Sequence, residues 1–219
     1  MAARNGISDP LFNLHEYHCN IKTREIYLQS DSSSEEEVGV DFRMANTFSK
    51  NLHLLNSQNS KPILVHMHTI GGEWNDGIAI YDNLSFSNSP VTILAHAHAR
   101  SMSSIILQGA QKRVLMPNCD VMVHYGSYAD DDTYKAVKSG LDYTERLTAN
   151  MLMLYAKKCI QGPYFKSKKI VTLAKVITFL KKQLDQRESW WMDAEEAVDY
   201  GFADGILGRE YQQEDLQKG

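Results

Sequence analysis

A serine becomes a nucleophile when its hydroxyl is exposed, a base stands within reach and N–H donors face the oxyanion that forms. Ser101 has the right surroundings for this. The apolar run VTILAHA (91–97) reads as a buried strand, and Met102, Ile105 and Ile106 begin a helix, so the serine falls on a strand-to-helix turn. Free N–H groups of the helix N-terminus lie beside such a turn. Ala99 and Ser103 stand where an elbow of this kind usually has glycines. Serine is also a favoured N-cap, and on spacing alone capping is the default reading. His124 ends the strand DVMVH and is followed by Tyr125-Gly126, at the C-terminal end of a strand, where sheet-based sites form; alone it reads as structural. Gly71-Gly72, after another buried strand, is either a tight turn or a place where backbone amides approach a reacting group closely.

A second constellation competes. His66 and His68 are two apart on one strand, and His96 and His98 are two apart on or beside another. Period two puts each pair on one sheet face, where four imidazoles could gather around a metal ion. Only Glu73 and Asp76 stand nearby as acidic ligands, so metal binding is the weaker reading.

The elements that must position these residues are legible in the hydrophobic pattern. Arg24 to Leu28 reads as a short strand, SDSSSEEE (30–37) as a solvated acidic loop, and Val40, Met44, Phe48, Leu52 and Leu55 as one face of a helix. A strand over Pro62 to His68, a helix from Asn75 to about Phe86, the strand 91–97 and two short strands, Arg113 to Met116 and Asp120 to His124, follow. Strands alternating with helices predict stacked β-α units around a mainly parallel sheet. From Asp132 to Cys159, Tyr134, Val137, Leu141, Leu147, Met151 and Leu154 keep helical spacing, which predicts a helix that projects beyond its own domain. A helix over about Lys168 to Lys182 follows, and the last is punctuated by Asp193 as cap, Glu196 at the capping-box position and Gly201 at its end.

The bulk properties narrow the classes. The chain is long enough for one large core, and a formal net charge of -4 without a basic stripe argues against nucleic acid. No apolar run reaches the roughly 20 residues that cross a bilayer, the N-terminus lacks a signal-peptide pattern, and three scattered cysteines give no disulfide framework. The expectation is a cytoplasmic protein with no membrane partner. Residues 1–20 show no clear period and read as an arm, 21–208 as the folded domain and 209–219 as a tail.

Taken in order, four segments resemble the proteolytic subunit of the ATP-dependent Clp protease: HTIGGEWNDGIAIYDNL (68–84), AHARSMSSIILQGA (97–110), RVLMPNCDVMVHYG (113–126) and WWMDAEEAVDYGFADGIL (190–207). The resemblance spans roughly Arg24 to Leu207 and implies the α/β fold of the ClpP/crotonase superfamily, with the long helix as a protruding handle. It matches Ser101 to the nucleophile, His124 to the general base, and the N–H groups of Gly72 and Met102 to the oxyanion hole. It further implies stacked heptameric rings of identical subunits, a Clp-type AAA+ unfoldase feeding unfolded polypeptides, and hydrolysis without cofactor or metal.

The pattern breaks at the third triad position. Counting back from AEEAVDYG, the family aspartate falls on Ser189, whose hydroxyl cannot offset an imidazolium charge. Glu188 is the adjacent surrogate, with Asp185 and Asp193 further off; each also reads as surface charge or helix cap. Two alternatives follow: a catalytically weak ring subunit, motivated by Ser189, and a crotonase-like acyl-CoA enzyme, which would have an oxyanion hole without a Ser-His pair. The connection Gln161 to Lys169 is also longer than the usual family turn.

Overall fold

The computed structural model describes residues 10–30, 37–127, 129 and 131–218. The acidic loop expected over residues 30–37 lies largely outside these. Within them the chain builds a sheet in the order β1 (Cys19–Asn20), β2 (Glu25–Gln29), β3 (Ile63–Thr69), β4 (Val91–Arg100), β5 (Lys112–Leu115) and β8 (Gly205–Ile206). β2, β3, β4, β5 and β8 run parallel, as the alternation of strands and helices predicts, and β1 adds an antiparallel edge.

The strand that matters most is β4, because it has two partners on the same side. Its first half, Thr92 to Ala95, pairs with β5; its second half, His98 to Arg100, pairs in parallel with β6 (Asp120–His124). β7 (Ser189–Met192) then pairs antiparallel with β6, with Ser189 directly opposite His124. The sheet therefore forks just before Ser101.

Odd-numbered residues of β3, such as Ile63, Val65 and Met67, and Val91, Ile93 and Ala95 of β4 enter the main core. There they pack with apolar residues of α2 (Phe42–Gln58), α3 (Trp74–Ser85) and α4 (Met102–Leu107). Asp41 caps α2 by accepting from the N–H groups of Arg43 and Met44. The opposite face carries a smaller cluster of Leu64, Leu94 and Val114, closed by Leu216 of the tail.

α5 (Tyr134–Cys159) is 26 residues long, about 39 Å at 1.5 Å per residue. Only its C-terminal part, from Met151 onward, is buried; Tyr134 and Leu141 are exposed although they belong to the expected apolar stripe. Among the described residues, neither packs against a core cluster. The next helix differs from expectation. Residues 168–172 are not helical, and the chain forms a short α6 (Pro163–Ser167) and a separate α7 (Leu173–Arg187). Phe165 anchors α6 in an aromatic cluster with Tyr164, Phe179, Tyr200 and Trp190, and Lys169 turns the chain with a left-handed φ of 54°. α8 (Ala194–Asp199) starts with the expected capping box. The arm contains a helix, α1 (Pro10–Tyr17), that the sequence pattern did not announce.

Candidate active site

Ser101 is held by both strands of the fork. Its N–H donates to Met122 O at 2.8 Å, one step beyond the Arg100–Met122 register pair, so the end of β4 lies against β6 two residues before His124. The backbone of Ser101 has φ 51° and ψ −125°, a strained conformation for a residue with a side chain. Its hydroxyl makes no cap bond to α4, which removes the capping reading. Instead Ser101 Oγ lies 2.7 Å from His124 Nε2. With Nε2 unprotonated, the hydroxyl donates to it, which is the ground-state geometry for removing the serine proton.

Gly71-Gly72 closes the other side. A Cβ on Gly71 would lie 2.7 Å from Ser101 Cβ and 2.9 Å from Met102 N, so only glycine permits this approach. Val40 fixes the turn: its N–H donates to Gly71 O at 2.6 Å and its carbonyl accepts from Glu73 N at 2.9 Å. Because those flanking groups face Val40, the Gly72 N–H faces the opposite way. Among the described residues neither Gly72 N–H nor Met102 N–H has an acceptor. Both residues line the same cleft as Ser101 and His124, a space of about 540 Å³ walled by Trp74, Tyr143, Leu147 and Met151. The role of Val40 had no signal in the sequence, since it arises from a contact across more than 30 residues of chain.

The far side of the His124 ring is built differently. Ser189 faces His124 across the β6–β7 ladder, but among the described residues nothing hydrogen-bonds to Nδ1. Asp193 is spent on the α8 cap. Asp185 accepts from the Tyr125 hydroxyl at 2.7 Å, a contact the sequence did not reveal. Glu188 remains. It ends α7 with a left-handed φ of 60°, and its carboxylate raises the pKa of His124 through charge. Burial acts more strongly in the other direction, so His124 lies below the ordinary histidine value and is neutral at pH 7.

The histidines on β3 and β4 converge in two pairs, His66 with His96 and His68 with His98, not as one quartet. Among the described residues no group of three or more His, Cys, Asp or Glu is arranged to hold a metal ion.

A family model described as "Clp protease" matches residues 21–210. The chain belongs to the Clp protease family. Among curated proteins it is 29% identical to the ATP-dependent Clp protease proteolytic subunit of Streptococcus uberis over 77% of this chain and 80% of the relative. It is 30% identical to that of Streptococcus gordonii over the same shares. The like-named subunit of Pleurastrum terricola is 26% identical over 86% of this chain and 85% of the relative. Among solved structures, a mutant of ClpP1 from Listeria monocytogenes superimposes with a TM-score of 0.70 at 21% identity, covering 90% of this chain and 96% of that one, a likeness of fold. Clp protease membership agrees with the forked α/β sheet and the long α5. No helix among the described residues is long and apolar enough to cross a membrane.

Proposed function

We propose that this chain is a serine endopeptidase subunit that hydrolyses unfolded polypeptides inside a chamber of stacked heptameric rings. The observation that carries the reading is the 2.7 Å contact between Ser101 Oγ and His124 Nε2, at a cleft that two free N–H groups also line.

In the proposed cycle, neutral His124 takes the Ser101 proton as Oγ attacks the peptide carbonyl carbon. The carbonyl π electrons move onto oxygen, which the Gly72 and Met102 N–H groups receive. Imidazolium then protonates the leaving amine as the C–N bond breaks, leaving an acyl ester on Ser101. Water attacks that ester with His124 again as base, releasing the second product and restoring the serine. Glu188 supplies the negative charge that steadies the imidazolium. The hydrolysis draws on no cofactor. The exposed apolar stripe on α5 supports packing against a second ring, a Clp-type AAA+ ATPase would feed the substrate, and the three free cysteines suit a cytoplasmic setting.

That nothing among the described residues bonds to Nδ1 favours one second reading, a ring subunit of low activity that supports active neighbours. Fluorophosphonate labelling and peptide turnover by the purified assembly separate them. Labelling that disappears in Ser101→Ala, with measurable turnover, supports the peptidase. An unlabelled, inert assembly that stimulates an active partner supports the structural subunit.

A further inference from the structure

Four histidines on β3 and β4 stand outside the serine site, and the serine chemistry makes no use of them. His66 Nδ1 and His96 Nε2 are 3.1 Å apart, so one ring donates and the other must keep a lone pair. Their ring centroids are 5.3 Å apart, and Tyr27 of β2 also stacks on His66 at 4.7 Å. The rings of His68 and His98 lie 4.6 Å apart. His98 Nε2 is buried with no hydrogen-bond partner among the described residues, and Glu37 Oε1 stands 3.6 Å away, beyond hydrogen-bonding reach.

The two pairs straddle an irregular seam. β3 advances from Met67 to Thr69 while β4 advances from Ala95 to Ala99, so the register slips where His68, His96 and His98 sit. Immediately beyond the seam, β3 runs into Gly71-Gly72 and β4 into Ser101. Side-chain contacts across the seam there include imidazole on imidazole.

We propose that these histidine pairs form an acid-sensitive latch between β3 and β4. When neutral they hold the seam closed; when protonated they part the strand ends carrying Gly71-Gly72 and Ser101. A doubly protonated His66–His96 pair has two donors and no acceptor, and both pairs then oppose like charges at short range. The other ionisable groups facing them are Glu25 and Tyr27 of β2, Glu37 before α2, and Arg100 of β4, which is itself paired with Asp120 of β6. Burial is the largest influence on His66, His96 and His98 and holds all three below the ordinary value of 6.5; neighbouring histidines add to this for His96 and His98, Arg100 adds to it for His98, and Glu25 and Glu37 oppose it. Groups with depressed folded-state pKa values take up more protons when the seam opens. Closure is therefore fully favoured above 6.5 and weakens as pH falls through the lower folded values.

The latch stands without peptidase chemistry; only what it gates rests on the reading of Ser101 above. Amide exchange of the full chain, corrected for intrinsic pH dependence, tests it at about pH 7.5 and about pH 5.5, either side of the ordinary histidine range. In the wild type, protection of residues 69–72 and 91–101 is expected to fall by ~10-fold or more on acidification, the size of a one-unit pKa difference. The double variant His96→Gln/His98→Gln should lose this response, and His124→Gln should keep it. Unchanged wild-type protection, or an equal fall in the double variant, overturns the latch. Should the double variant not fold, imidazole NMR titration of the wild type decides. Stepwise titration of His66, His96 and His98 below the ordinary range supports the proposal, and independent titration of these three near 6.5 overturns it. Peptide turnover is read in parallel, so a missing serine activity and a missing latch are told apart.

Discussion

On its Nε2 side, His124 meets a hydroxyl at hydrogen-bond distance, presented by a strained turn that two strands and a glycine pair hold in place. On its Nδ1 side there is a serine one strand away, a glutamate acting through charge alone, and two aspartates engaged elsewhere. The front of the imidazole is thus fixed by backbone geometry, and the back by side chains that have other tasks. The difference teaches that backbone-built parts of such a site do not depend on the identity of the neighbouring side chains, whereas side-chain-built parts do. The charge behind the base is a single-residue feature and is lost by a single substitution. Ser189, which the ladder sets directly opposite His124, carries no charge.

The largest expected effect breaks the front half. Ser101→Ala should lower peptide turnover by ~10⁶-fold, toward the level of a serine peptidase stripped of its nucleophile, and abolish fluorophosphonate labelling. Rebuilding the back half comes next. Loss of a triad carboxylate costs about 10⁴ in turnover, so Ser189→Asp should raise kcat by ~10²-fold or more; an unchanged kcat would mean that Glu188 already serves fully. Gly72→Ala attacks the front without touching a reacting side chain. An added Cβ would lie 2.3 Å from Val40 O, displacing the turn, and kcat should fall by ~10²-fold with KM little changed.

The smallest effect is on pH dependence. His124 must be neutral to act, and burial lowers its pKa, so the acid limb of kcat/KM should have its midpoint below 6.5. Glu188 opposes that shift, and Glu188→Gln should move the limb to still lower pH while reducing kcat by roughly 10-fold, a modest loss for a charge that makes no hydrogen bond. A limb that stays in place would remove Glu188 from the site.

Most of the front half was legible in the sequence. An apolar strand running into Ser101, a strand ending at His124 and a glycine pair after a third strand are local patterns, and local patterns are what periodicity and turn chemistry encode. The order of four motifs supplied the rest. The fork of β4, the brace from Val40 and the Tyr125–Asp185 contact were not legible, because each depends on pairing between distant segments. The apolar spacing predicts one helix over about Lys168 to Lys182, but the aromatic packing of Phe165 gives α6 its own short helix and delays α7 to Leu173. The lower part of the α5 stripe was read correctly as apolar, yet it is exposed, since periodicity reports a face and not what covers it.

β6 lies between β4 and β7, so the strand that carries His124 gains its second neighbour only when the later segment Ser189 to Met192 arrives beside it. Ser101 and His124 leave the ribosome well before Ser189 to Met192 do. A chain made only as far as His124 therefore carries both side chains without the strand that completes their frame.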